Sequence, residues 1–282
     1  MVSRKNYIHN LYPIFTQPKS KSKRPAFIRY AIKKASQIDV ARSEINYTIQ
    51  PINPITGNIV PRFRRLNEHR ARAMRAMVQA MLYHFNISSE LVMASIETLS
   101  DECGLSTTSK AGNKSITRAS RLITEFMEPM GYVTCEKIWD RIMGTYIPKI
   151  ITLTPLFFML FGISKFRLDQ VKKQQLNWIN EKRIKKGSFF ITLMEIKREA
   201  KEQYIRKIFQ YRKSKYIIEK QKKEARKIIR LEEKTARQYI LNGLVKRYSL
   251  EELVKMGSIE LKKQVNFEYF RLKKIANNIL HK

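Results

Sequence analysis

The stretch from residue 95 to residue 154 constrains the fold most, because helix-like and strand-like patterns follow one another there in a distinctive order. Residues 95–105 (SIETLSDECGL) predict a short helix that Ser95 caps and that Gly104 ends. Residues 106–113 (STTSKAGN) are polar or small and predict a turn. A basic helix and two β-rich runs follow. This order predicts a winged helix-turn-helix, an arrangement that binds duplex DNA.

The second helix of this motif begins near Lys114 and has two different faces. Its apolar residues recur at steps of three and four, which places them on one stripe facing a core. They are Ile116, Ala119, Leu122, Ile123, Phe126 and Met127. The other face presents side chains that can contact base edges or phosphates, namely Ser115, Thr117, Arg118 and Arg121. Each arginine alone is equally compatible with a solvated surface, so the prediction of DNA contact depends on the whole set.

Two β-rich runs after this helix predict the wing. Residues 132–139 and 146–154 are rich in β-branched and aromatic residues, and the connection at 140–145 holds a glycine. Upstream, the Ala-, Met- and Arg-rich residues 62–85 predict the opening helix of the bundle. Residues 91–93 predict a small strand that pairs with the wing.

The chain is strongly basic, with 56 Lys and Arg against 24 Asp and Glu and a formal net charge of +32. Such a chain attracts polyanions. Duplex DNA, RNA and an anionic membrane would all satisfy this charge, because phosphate contacts carry affinity without sequence information. The longest apolar run, residues 150–163, is shorter than the roughly 20 residues of a membrane span. We therefore expect no membrane partner.

The composition changes along the chain and predicts three parts. Residues 1–60 form a basic, proline-containing N-terminal arm with one short helix or strand near 27–38. Residues 61–163 form the winged-helix DNA-binding domain. Residues 164–282, with 33 basic and 13 acidic residues, form a basic, extended helical C-terminal region. The predicted fold class is therefore mainly α with a small β wing.

Helical periodicity runs through the C-terminal region. From residue 193 to 241 it predicts one long helix, or two with a break near Ser214. Ser249 and Glu252 predict a capping box for a short helix that ends at Gly257. The lysines of these helices are compatible with a solvated surface, a second nucleic-acid surface or a tail that folds on binding.

Residues that could support catalysis are scattered. The four histidines have no metal-ligand spacing, and Cys103 and Cys135 are expected to be reduced thiols of a cytoplasmic protein. Residues 111–115 (AGNKS) differ from a phosphate-binding loop, because the glycine is not next to the lysine and a helix precedes them instead of a strand. We expect no enzyme activity, no metal and no cofactor.

Two long segments are similar to a known family. They are ECGLSTTSKAGNKSITRASRLITEFMEPMGYVT and GTYIPKIITLTPLFF, with weaker similarity in YPIFTQP, in RRLNEHRARAMRAMVQAMLYHF and near Trp178 to Lys186. These segments resemble the IncFII (RepFIIA) family of plasmid replication initiators. The resemblance covers most of the chain, and beyond about Leu193 it is mainly compositional.

The resemblance implies a non-catalytic protein that binds the plasmid origin and sets plasmid copy number. It implies origin opening together with the host initiator DnaA and the replicative helicase, and self-association stays open. The run from Ser115 to Ala119 matches the family motif, which supports base contacts by the hydroxyl and arginine side chains named above. The remaining expected DNA contacts are Lys110 and Lys114 on phosphates and Lys137 and Arg141 on the wing.

Two other functions are compatible with the sequence. A winged-helix transcriptional repressor would contact DNA in the same way but normally adds a ligand pocket or a dimerisation element. An RNA-binding protein is favoured by the pI of about 10.2 and by the lysine-rich C-terminal region. It predicts little loss of binding when Arg118 is changed.

Overall fold

The protein is described here by a computed structural model that covers residues 10–19, 23–62, 64–109, 113–141, 144–146 and 149–280. It is mainly helical with a small antiparallel sheet. The chain divides into two compact units, Met1–Ile205 and Arg206–Lys282. Within the described ranges, no helix is both long enough and apolar enough to span a membrane.

The first unit begins with three helices, α1 (Ala26–Gln37), α2 (Ile45–Thr48) and α3 (Glu68–Tyr83). Helix α1 confirms the element expected near residues 27–38, and it buries Ile28, Ala31 and Ala35 in the core that it shares with α3. Helix α3 begins later than the sequence predicts, because the Asn67 side chain accepts a hydrogen bond from the Arg70 N–H at 2.9 Å and so caps the helix.

The next elements are β1 (Leu91–Val92), α4 (Ile96–Glu102), β2 (Thr107–Thr108), β3 (Lys114–Ser115) and α5 (Thr117–Leu122). The predicted cap of α4 is confirmed, since Ser95 Oγ accepts from the Thr98 N–H at 3.1 Å. The expected helix start near Lys114 is wrong. Strands β2 and β3 pair there as a small hairpin, with Thr107 opposite Ser115, and helix α5 follows. One π-helical turn, Ile123–Met127, extends α5.

Strands β4 (Val133–Glu136) and β7 (Ile150–Leu153) form an antiparallel pair, as the two β-rich runs predict. Strand β7 also pairs with β1, which gives the sheet order β1-β7-β4. Between β4 and β7 the chain forms a second hairpin of β5 (Trp139–Asp140) and β6 (Thr145–Tyr146). The small strand therefore pairs with the β-hairpin that follows α5, as expected.

One core joins the helices and the sheet of this unit. The apolar stripe predicted for the second helix of the motif is confirmed: Ala119, Leu122, Ile123, Phe126 and Met127 are buried, and Ile116 packs against them. They meet the methionines of α3 (Met74, Met77 and Met81) and the aromatic residues of α6 (Pro155–Met159). Burial of this apolar surface is the main stabilising contribution to such a unit.

An ion-pair cluster ties the sheet to α7 (Lys165–Ile184) and to the beginning of α8 (Leu193–Ile228). Glu90 precedes β1 with a left-handed backbone (φ 61°), and its carboxylate pairs with Lys172 and, at 2.6 Å, with Lys197. Burial raises the pKa of Glu90, but hydrogen bonds from the two lysines outweigh it and hold the pKa below its usual value.

The second unit contains the rest of α8, α9 (Glu233–Val245) and α10 (Leu250–Leu280), around a core of its own. Both forms of the prediction for residues 193–241 are wrong: α8 continues through Ser214 but ends at Ile228, and α9 begins at Glu233. The predicted capping box is confirmed by reciprocal hydrogen bonds between Ser249 and Glu252. Gly257, at φ 66°, interrupts α10 where the sequence predicts the end of a short helix.

Candidate nucleic-acid interface

The beginning of α5 carries two exposed hydroxyl groups. Ser115 Oγ and Thr117 Oγ1 lie 2.9 Å apart and share a hydrogen bond, and both residues are exposed. The structure thus brings these two predicted contact residues together. A hydroxyl can donate to a phosphate or accept from a base amino group, so the pair can contact either part of a nucleic acid.

Arg121 lies one helical turn after Thr117, and 66% of its side-chain surface is accessible. Its Nε atom is 3.6 Å from Glu125 Oε1, and Glu125 also pairs with Arg70 of α3. An exposed pair of this kind is weak. A phosphate or a guanine edge can therefore replace Glu125 as the partner of Arg121 at small cost.

Arg118 is placed differently from the other residues of this set. Its guanidinium is half-buried and donates to the backbone carbonyl of Asn10 at 2.7 Å and to that of His69 at 3.0 Å. Burial, followed by the nearby charge of Arg72, lowers the pKa of Arg118. These contacts hold α5 against α3 and the N-terminal segment. The structure does not bring the Arg118 guanidinium to the exposed face with Ser115 and Thr117.

Lys114 is also occupied by protein groups. Its Nζ atom lies 2.5 Å from Asp101 Oδ2 and 3.1 Å from Glu97 Oε1, both on α4. These hydrogen bonds, the one to Asp101 first, raise the pKa of Lys114. The lysine therefore fixes the β2–β3 hairpin to α4. Lys110, the other lysine predicted to contact phosphate, lies outside the described residues.

A segment of the N-terminus, residues 10–18, docks on the helices beneath this face. The Asn10 amide donates to the Gly104 carbonyl at 3.1 Å, and the Thr16 N–H donates to the Glu102 carbonyl at 2.8 Å. Arg72 lies 4.3 Å from the centre of the Tyr12 ring. A Cβ atom added at Gly104, where φ is 63°, would come within 2.6 Å of the Asn10 amide nitrogen, so the segment also depends on that glycine.

The segment is a part of the site that the sequence did not reveal. The run YPIFTQP, residues 12–18, is similar to the family, but nothing local to it predicts the carbonyl that Arg118 binds.

The β5–β6 hairpin carries the two predicted wing residues. Lys137 lies just before β5 and Arg141 just after it, and both side chains are exposed. Between them, Trp139 pairs across the hairpin with Tyr146, with ring centres 4.9 Å apart and planes at 74°. Such an edge-to-face pair contributes about 1 kcal/mol beyond its burial and helps to hold a two-stranded ribbon.

Comparison with known proteins identifies the family. The chain belongs to the IncFII RepA protein family, whose model matches residues 3–277. This confirms the resemblance found in the sequence. No solved structure matches the chain.

Named relatives agree with this family. The "Probable replication-associated protein repA1" of Buchnera aphidicola subsp. Cinara cedri (strain Cc) is 64% identical over 276 residues, which cover 98% of each chain. A "Probable replication-associated protein repA2" of Buchnera aphidicola subsp. Baizongia pistaciae (strain Bp) is 39% identical over 268 residues, 95% of this chain and 94% of the relative. A "Replication initiation protein" of Escherichia coli is 37% identical over 118 residues, 42% of this chain and 41% of the relative.

Proposed function

We propose that this protein is a plasmid replication initiator that binds origin DNA through a winged helix-turn-helix. The motif consists of α3, β1, α4, α5 and the hairpins from β4 to β7. The observation that carries the proposal is the sheet order β1-β7-β4, which packs the strands after α5 beside the small strand before α4. Membership of the IncFII RepA family supports replication as the process.

In this proposal α5 lies in the major groove. Thr117 and Arg121 of α5 contact bases or phosphates together with Ser115, which ends β3 just before the helix, because all three side chains are exposed. Lys137 and Arg141 contact the backbone beside the groove. Arg118 and Lys114 act indirectly, since their bonds to Asn10 and to α4 fix the position and direction of α5.

The basic stretch of α8 adds affinity without sequence preference. Residues 206–228 hold ten basic and two acidic residues, whereas α10 holds six and four. Several lysines of the stretch are exposed, among them Lys213, Lys215 and Lys220. Cations along a helix can follow the phosphate backbone of a nucleic acid.

The protein acts without catalysis, metal or cofactor in this proposal. It opens the plasmid origin in the cytoplasm together with the host initiator DnaA and the replicative helicase, and its abundance sets the copy number. The support for these steps is the family, because plasmid initiators of this kind work through assembly on DNA.

The test is a nuclease footprint of the full-length protein on the origin of its own replicon, with excess competitor DNA. We expect one discrete protected region that Arg121→Ala weakens. The matched control is Arg198→Ala, because Arg198 is 82% exposed and also pairs with a glutamate one turn later, Glu202. Diffuse binding that RNA removes would refute the proposal. If the protein protects a discrete region but does not support the replication of a separate plasmid that carries the origin, the result would instead indicate a repressor.

A further inference from the structure

The pair of Trp139 and Tyr146 leaves much aromatic surface in water. Trp139 is 50% exposed and Tyr146 is 60% exposed, although both belong to strands. They lie opposite each other in the β5–β6 hairpin, which connects β4 to β7. Two large aromatic rings on a narrow ribbon are therefore largely exposed to water.

The charges around this surface favour a polyanion. Lys137 and Arg141 lie two residues before and two residues after Trp139, one on each side of β5, and both side chains are exposed. Neither makes an ion pair with another residue in the described part of the chain. Two acidic residues lie in the same stretch of sequence: Asp140 is next to Arg141, and Glu136 of β4 is already paired with Lys201 at 2.6 Å.

Trp139 differs from the other tryptophan of the chain in what covers its ring. Trp178 is equally exposed, but the Lys182 ammonium lies 3.6 Å from its ring centre. Over the described residues, no cation lies on the ring of Trp139. Tyr146 contacts the ring at an interplanar angle of 74°, and half of the Trp139 surface remains exposed for stacking.

We infer that the β5–β6 hairpin binds an unpaired base of single-stranded DNA, which stacks on Trp139 while Lys137 and Arg141 contact the adjoining phosphates. Aromatic rings interleaved with cations are what proteins use to bind single strands, since every base has a flat face. The bases of a duplex are already stacked on each other and cannot use this surface. The inference rests on the proposed function, because opening an origin produces unpaired bases.

Fluorescence provides a direct test in the full-length protein. The chain has two tryptophans, so Trp178→Phe leaves Trp139 as the sole emitter. We expect an oligothymidylate of about 12 nucleotides to quench this emission to saturation, and a duplex of equal length to leave it nearly unchanged. Quenching that is equal for both DNAs, or absent for both, would overturn the inference.

Substitution tests the same site by affinity. Trp139→Ala is expected to weaken oligothymidylate binding about tenfold, and Trp139→Phe, which keeps a ring opposite Tyr146, much less. Trp178→Ala is the matched control and should have no effect. Equal losses for Trp139→Ala and Trp178→Ala, or tighter binding of oligouridylate than of oligothymidylate, would count against a single-stranded DNA site at this hairpin.

The origin footprint separates this inference from the proposed function. Trp139→Ala should keep the protected region while losing single-strand affinity. If wild-type protein gives no footprint but Trp139 is still quenched by oligothymidylate, the proposed function fails and the stacking site stands. If the footprint is intact and Trp139→Ala binds oligothymidylate normally, the stacking site fails and the proposed function stands.

Discussion

Arg118 Nη1 donates a 2.7 Å hydrogen bond to the backbone carbonyl of Asn10, 108 residues earlier in the chain. The same guanidinium donates to the His69 carbonyl at 3.0 Å. One side chain therefore connects the N-terminal segment, α3 and α5. We therefore expect Arg118 to affect the free energy of unfolding of this unit more than its preference for a DNA sequence.

Arg118→Ala should lower the free energy of unfolding by about 2 kcal/mol, because two half-buried carbonyls lose a charged donor. Denaturant unfolding followed by circular dichroism measures this. Arg121→Ala is the control on the same helix, and its open position predicts a change of no more than about 0.5 kcal/mol. Equal effects of the two substitutions would show that the contact with Asn10 does not stabilise the unit.

Arg121→Ala should weaken binding to the specific origin sequence by roughly 1 to 3 kcal/mol and hardly affect binding to unrelated DNA, because a base contact is lost. Competition binding on the two DNAs at one salt concentration measures the difference. Arg198→Ala, at an exposed arginine of α8, should change neither value. A parallel loss on both DNAs would assign Arg121 to the phosphate backbone instead.

His69 should make the unit less stable in acid. Burial, and then the charges of Arg118 and Arg72, lower the pKa of His69 below its usual 6.5. The folded protein therefore holds this imidazole neutral while the unfolded chain protonates it. Its contribution to stability is present above about pH 6.5 and is lost as the pH falls through the lowered value.

Thermal unfolding between about pH 7.5 and pH 5 checks this expectation. The His69→Gln variant should lose less stability than the wild type over that range, because a glutamine side chain is not protonated in it. The same pH dependence in both proteins would assign the acid sensitivity to other groups.

Glu90→Gln should lower the free energy of unfolding by about 3 kcal/mol, because the buried Lys172 would keep only its longer, 3.4 Å contact with Asp169. The side chains of Lys172 and Glu90 are 8% and 18% exposed. Glu136→Gln breaks the exposed pair with Lys201 and should cost no more than about 1 kcal/mol. Denaturant unfolding compares the two variants, and similar costs would contradict a special role for Glu90.

The salt dependence of DNA binding tests the basic stretch of α8. Replacing Lys213, Lys215 and Lys220 with glutamine should reduce the slope of log affinity against log salt by roughly 2 to 3, because up to three phosphate contacts are lost. The control removes the same charge from α10 at Lys255, Lys262 and Lys274 and should change the slope less. Equal slopes for both triple variants would show that the stretch has no preferred contact with DNA.

Local patterns predict a large part of the fold. The spacing of apolar residues predicts the buried stripe of α5, because a core-facing helix must repeat every three or four residues. The caps at Ser95 and Ser249 can be predicted because each serine hydroxyl accepts a hydrogen bond from a backbone N–H only three residues later in the sequence. The paired strands follow from two β-rich runs and the small strand upstream.

Other features depend on distant or weak partners and escape such patterns. The β2–β3 hairpin has no alternation of apolar and polar residues, so its sequence does not indicate strands. The prediction therefore places Lys114 at the start of the helix, although its backbone pairs with Thr108. Ser214 suggests a break, but its hydroxyl donates to the Tyr211 carbonyl at 2.8 Å and is satisfied within α8. The periodicity of α5 places Arg118 off the apolar stripe, yet only the tertiary structure shows that Asn10 covers it.

The docking of residues 10–18 sets an order for biosynthesis. The ribosome makes this segment before its binding surface on α3, α4 and α5, which is complete only after Arg118 has been added. Strand β1 must likewise wait for β7, about 60 residues later. The nascent chain therefore carries the apolar residues of this segment, including Phe15, uncovered until α5 has been made. Conditions that slow elongation should lengthen the period in which they can aggregate or bind a chaperone.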